Sequence, residues 1–104
     1  MLTGWAMRSL KDFVIGTIIF AMLRINGRLE RFNIHNKRIV GESVIIDVLI
    51  DSVRFPGEVF LSEIQLFDVH GELWLAKPVE LSKEGFSEGI FCRITLTFVE
   101  RMEE

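Results

Sequence analysis

The residues of this chain able to do chemistry are few: two histidines, one cysteine, and a pair of aspartates four positions apart. Nucleophilic catalysis needs a base within reach of a hydroxyl or thiol. His35 stands at the end of a strand-like run and His70 inside a turn-like one, and nothing in the spacing brings either toward Cys92 or a particular serine. His70 precedes Gly71, where a tight turn favours a polar residue, and it reads as a solvated turn histidine. Asp47 and Asp51 share one face of an extended run, roughly 13 Å apart at ordinary strand rise. That is too far for the two alone to chelate one ion, and it exceeds the separation used by glycosidase carboxylate pairs. A solvated face, with Lys or Arg partners across a sheet, accounts for both. The chain holds no Gly-rich phosphate loop, CxxC or HExxH. On these residues the chain is expected to be no enzyme and to use no metal or cofactor.

Cys92 alternates in phase with Ile90 and Ile94, which makes it a small buried apolar residue rather than a reactive thiol. As the lone cysteine it permits neither an intrachain disulfide nor a Cys-rich zinc site, and a reducing, cytoplasmic setting is expected.

The elements that must position these groups are mostly strands. From Ile90 to Val99, Ile90, Cys92, Ile94, Leu96 and Phe98 fall on one side of an extended chain and Phe91, Arg93, Thr95, Thr97 and Val99 on the other. Ile94 and Leu96 are expected in the core, Thr95 and Thr97 outside it. Val44, Ile46, Val48 and Ile50 alternate in the same way between Ser43 and Val53. Asn26-Gly27 is the strongest two-residue hairpin signal, because both residues tolerate the positive φ of a type I′ turn. It joins a long apolar strand, Phe13 to Ile25, to an antiparallel return, Arg28 to His35. Lys37 to Glu42 reads as a polar connection, Val59 to Phe67 as a strand, and His70-Gly71 as a second hairpin into Leu73 to Lys77. Pro78 should end or bend that strand, with Val79 to Leu81 a short edge piece. Ser82 to Gly89 reads as a loop.

Before these strands, residues 1–12 form an N-terminal arm or short helix. Thr3 is placed to cap it, with Trp5, Ala6, Leu10 and Phe13 turned toward the body. The apolar run Phe13 to Leu23 has 11 residues, against the roughly 20 a membrane span requires. Its β-branched content favours a buried strand over a targeting segment, so no membrane span is expected. Residues 100–104 read as a solvated tail. The 104 residues make one all-β domain, a single antiparallel β-sandwich or small closed barrel of six to seven strands.

What remains is surface. The chain is 49% hydrophobic, with nine Phe and no Tyr. Phe favours dry surroundings, so some of this surface is expected to meet a partner. Residues 1–38 carry a net +5 and residues 39–104 a net −8. Such asymmetry implies an anionic partner for the front or complementary contacts within and between copies. A two-residue turn at Asn26-Gly27 places Phe20 opposite Asn33, Met22 opposite Arg31 and Arg24 opposite Leu29. Continued to His35 and Lys37, this register gathers Ile18, Phe20, Met22, Arg24, Arg31, His35 and Lys37 on one face. Trp5 and Trp74 add two large anchors of the type enriched at interfaces. The expected role is a non-enzymatic protein-interaction or assembly module, a homo-oligomer or a subunit of a larger complex. A single-stranded nucleic-acid platform on Phe20 and the arginines is the first alternative, weakened by the acidic pI of about 5.4. An apolar small-molecule pocket in a barrel interior or sandwich end is the second.

Overall fold

The computed structural model describes residues 3–83 and 89–99. These residues form one helix, α1 (Gly4–Thr17), and seven strands: β1 (Ile18–Ile25), β2 (Arg28–Asn33), β3 (Asn36–Val40), β4 (Ser43–Ile50), β5 (Val59–Asp68), β6 (Leu73–Lys83) and β7 (Ile90–Thr97). They make two antiparallel sheets, one ordered β2-β1-β5-β6 and the other β3-β4-β7. The sheets are not joined into a closed barrel, which removes that alternative and any ligand site in a barrel interior. Residues 84–88 of the expected loop and the expected tail, residues 100–104, lie outside the described residues.

The alternation in β4 and β7 does what period two requires. Val44, Ile46, Val48 and Ile50 are fully buried, and Ile90, Cys92 and Ile94 lie beside them on the same face of the smaller sheet, in one core with Ala21, Leu23, Leu61 and Leu66 of the larger sheet. Thr95 and Thr97 are exposed. Leu96 is only partly buried, at the margin of the core rather than within it. Gly89 lets β7 begin tight against β4, because a Cβ there would collide with the Leu49 side chain and the Ile50 carbonyl.

The β1–β2 hairpin has the expected register, with Asn26 and Gly27 both at positive φ. Asn26 does more than turn the chain. Its backbone N–H donates to the Phe60 carbonyl, its Nδ2 donates to the Glu58 carbonyl, and its Oδ1 accepts from the Phe60 N–H. The turn is thereby pinned to the start of β5.

Several expectations give way to longer-range contacts. The helix extends to Thr17 and takes Phe13, Val14, Ile15 and Thr17 from the expected strand. Thr3 caps it as expected, its Oγ1 accepting from the Ala6 N–H at 3.1 Å. The face turned to the body is different, however: Lys11 and Val14 are buried and Ile15 packs on the core, whereas Trp5, Leu10 and Phe13 are exposed. Lys11, Val14, Ile15 and Ile18 follow a helical repeat, and β propensity yields to it. Two lysines make this possible. Lys11 Nζ donates to the Gly41 carbonyl at 2.7 Å, and Lys37 Nζ donates to the carbonyls of Ile15 and Ile18 at 2.6 and 2.9 Å. The last turn of α1 contains no basic residue of its own, so β3 supplies the cation its carbonyl end favours.

Lys37→Met should therefore loosen the junction of helix and sheet, costing about 1 to 2 kcal/mol for the charge-assisted bonds it removes. Thermal unfolding and amide exchange in the last turn of α1 check this; unchanged exchange there would mean the lysine does not hold the turn.

The expected connection Lys37 to Glu42 is largely strand β3, paired to β4 from Asn36 to Val40. Pro78 does not end β6, which runs through it as an edge strand paired to β5. An edge strand needs no N–H on its outer side, so proline is tolerated there.

Candidate functional site

The nine residues expected at an interaction surface separate into four places. Ile18 leaves the surface altogether: it is 1% exposed and part of the core. The cause is a bulge. Ile18 pairs with Asp68 and Phe20 with Phe67, so Ile19 is the extra residue on β1, and the inward-outward phase changes across it. His35 and Lys37 also leave, because β2 ends at Asn33 and the chain crosses to the other sheet. His35 is exposed, with its ring edge against Phe91 at 5.2 Å and its backbone N–H donating to the Asp47 carbonyl. Lys37 is spent on the end of α1.

Phe20, Met22, Arg24 and Arg31 do share the outer face of the four-stranded sheet. Directly paired residues place Met22 between Arg31 and Gln65, and Arg24 between Leu29 and Glu63. The cations there are engaged within the chain. Arg24 Nε bonds Glu63 Oε1 at 3.2 Å, and the Arg31 guanidinium carbon sits 3.9 Å above the Phe20 ring. The second face of that ring lies parallel to Phe67, with centroids 4.9 Å apart.

The fourth place was only half visible in the sequence. Trp5, at 79% exposed, and Phe13, at 60%, project from α1, and Phe13 meets Trp74 with ring centroids 6.0 Å apart. Trp74 sits at a bulge in β6, where Leu66 pairs with Leu75 but the next residue, Phe67, pairs with Leu73. Asp68 organises this corner. Its carboxylate accepts from the backbone N–H groups of His70 at 2.8 Å and Glu72 at 3.0 Å, and from the Trp74 indole N–H at 3.1 Å. The bond from Glu72, then those from His70 and Trp74, hold its carboxyl below the usual value against the opposing effect of burial. His70 is the exposed turn residue expected of it.

Beside Trp74 runs a groove of about 340 Å³, walled by Val14, Leu66, Leu75, Leu96 and Phe98. It lies between the edge strands β6 and β7, beneath the end of α1. Leu96 owes its partial exposure to this opening.

The smaller sheet carries the other feature that the sequence understated. Asp47 was expected on a solvated face, paired across the sheet. It is paired, but it is also buried, at 4% exposed. Arg93 Nε and Arg38 Nη1 each reach its carboxylate at 2.8 Å from the two flanking strands. The hydrogen bond from Arg93 is the largest cause of its depressed pKa, with Arg38 adding to it and burial opposing. Together with Arg24–Glu63, the Arg38–Asp47 pair shows where the charge asymmetry of the sequence goes: cations of the first part meet acids of the second inside one molecule. Cys92 is buried, and desolvation pushes its thiol up to about 11, so it stays protonated at neutral pH. Among the described residues no helix is long and apolar enough to cross a membrane.

Comparison with protein-family models, with curated proteins and with solved structures finds no match to this chain.

Proposed function

We propose that this chain is a non-enzymatic interaction or assembly module, a homo-oligomer or a subunit of a larger complex, built as a two-sheet sandwich. The observation that supports this reading is the exposed ring pair Phe13–Trp74, whose tryptophan lines an apolar groove, with Trp5 and Leu10 exposed on the same helix as Phe13. Isolated exposed apolar residues are ordinary on any protein, but a run of large ones beside a groove is the composition of an interface. Two tryptophans add the anchor type that contributes most when desolvated. A reducing compartment such as the cytoplasm suits a chain whose single thiol is buried.

Single-stranded nucleic acid draws little support from the same geometry. Stacking needs an open ring face, and Phe20 has one face under Arg31 and the other against Phe67. A small apolar ligand would find its place in the groove rather than between closed strands, since the sheets do not close.

Light scattering over a concentration series tests the assembly reading. The apparent mass is expected to rise with concentration, and Phe13→Ser, which removes an exposed ring without touching the core, is expected to lower it. A strict monomer at high concentration that also retains no partner in a pull-down would remove the reading.

A further inference from the structure

Each sheet presents two edges, and an edge strand offers unpaired N–H and C=O groups to any extended chain of matching register. Three of the four edges carry the usual protections. Strand β2 has Arg28, Glu30 and Arg31 among its six residues. Strand β3 is five residues long, with two cations. Strand β6 contains Pro78 and has two register shifts against its neighbour. Strand β7 has none of these. Its eight residues pair with β4 in unbroken register from Ile90 to Thr97, without proline or bulge. Its one charge, Arg93, is already bound to Asp47 of its own sheet.

The backbone polarity of this edge follows from one bond. The Phe98 N–H donates to the Glu42 carbonyl, in phase with the β4–β7 register. Main-chain groups alternate sides along an antiparallel strand, so the even-numbered residues of β7 spend theirs on β4. The N–H and C=O groups of Phe91, Arg93, Thr95 and Thr97 point the other way, and no described strand pairs with them.

We propose that β7 is a docking edge for a second copy of this chain, pairing β7 to β7 antiparallel about a twofold axis at Ile94, so that two three-stranded sheets become one of six. The inference rests on the assembly reading above and names its partner. Only extended backbone satisfies an edge, and the residues of β7 suit a copy of themselves. With the axis at Ile94, Arg93 lies opposite the partner's Thr95 and Phe91 opposite the partner's Thr97. On the inner face, Cys92 lies opposite the partner's Leu96, which is apolar against apolar. Moving the axis by one residue, to Arg93, would set two like charges directly opposite each other, an arrangement that destabilises a sheet. The apolar groove opens beside the C-terminal half of β7, so the chosen register lays the partner's Ile90 and Cys92 along its rim at Phe98 and Leu96. Symmetry does this twice, which is the closure expected of an isologous dimer.

The test is sedimentation equilibrium on the full chain and three variants, with a cross-link as an independent check. Thr95→Pro deletes an outward N–H and leaves the β4 ladder intact; the dimer is expected to weaken at least 100-fold. Should that variant unfold, Thr95→Lys, on an exposed position, sets a cation against the partner's Arg93 and is expected to weaken the dimer at least tenfold, whereas Thr95→Glu does not. In a Cys92→Ala background, Phe91→Cys with Thr97→Cys is expected to form a disulfide-linked dimer on oxidation, since directly opposed residues stand about 5.5 Å apart at Cα. Wild-type dimers unaffected by every Thr95 variant and not cross-linked would overturn the β7 edge while leaving the assembly reading to another surface. A wild-type chain that stays monomeric at all concentrations would overturn both this proposal and self-association.

Discussion

Leu23→Ala is expected to cost about 2 to 5 kcal/mol, a large share of the roughly 5 to 15 that holds a domain of this size together. Leu23 is fully buried at the middle of β1, and β1 is flanked by β2 and β5. Truncation there loses transfer energy and leaves a void that three paired strands cannot close. Leu96→Ala is the informative comparison. Leu96 has the same chemistry but borders an open groove, so water or a small shift fills the space and the loss should fall at or below the lower end of that range. Thr97→Ala, on the exposed side of the same strand, should cost roughly 0.5 kcal/mol. Chemical denaturation of the three variants at low protein concentration separates these outcomes. Equal losses at positions 23 and 96 would mean that the groove is covered in the species measured.

The second large effect is at Asp47. Asp47→Asn keeps the shape of the side chain and removes the charge that holds Arg38 and Arg93, and a loss of about 1.5 to 3 kcal/mol is expected at neutral pH for hydrogen bonds to a charged group. The arginines are partly exposed, so they regain water when released and the full penalty of a stranded buried charge does not arise. The pH dependence gives the sharper check. The folded Asp47 carboxyl titrates below its ordinary value of 3.8. Its contribution is therefore fully present above that value and is lost as the pH falls through the folded pKa. Wild type and Asp47→Asn should differ by a constant amount from neutral pH down toward 3.8, then converge below it. Curves that stay parallel into acid would show that the carboxylate charge is not what the arginines stabilise.

Much of the fold is carried by local pattern. The period-two runs of β4 and β7 identify their buried faces, because every second side chain must share a face and only one arrangement puts Val44, Ile46, Val48 and Ile50 together. Asn26-Gly27 sets the β1–β2 register for a similar reason: positive φ at two successive residues is a local demand that these two meet at little cost. Thr3 as a helix cap belongs with them.

The surface was decided elsewhere. Whether Ile18 lies in or out depends on a bulge against β5, a strand some fifty residues away, and one inserted residue reverses the phase of everything before it. The destination of Lys37 depends on where the end of α1 comes to rest, since a lysine reaches whatever carbonyls its strand is carried to. Alternation told which side of its strand Asp47 occupies and that a cation across the sheet could pair with it, but not that arginines from both flanking strands would leave it buried. Trp74 acquires its place from Asp68 and from a bulge that no spacing announces. Local sequence determined the faces of the strands and the tight turn, because those follow from stereochemistry within a few residues. Tertiary structure alone decided which faces are covered, which charges are spent and which strands lie at the sheet edges, because each of these depends on what packs against a strand from far along the chain.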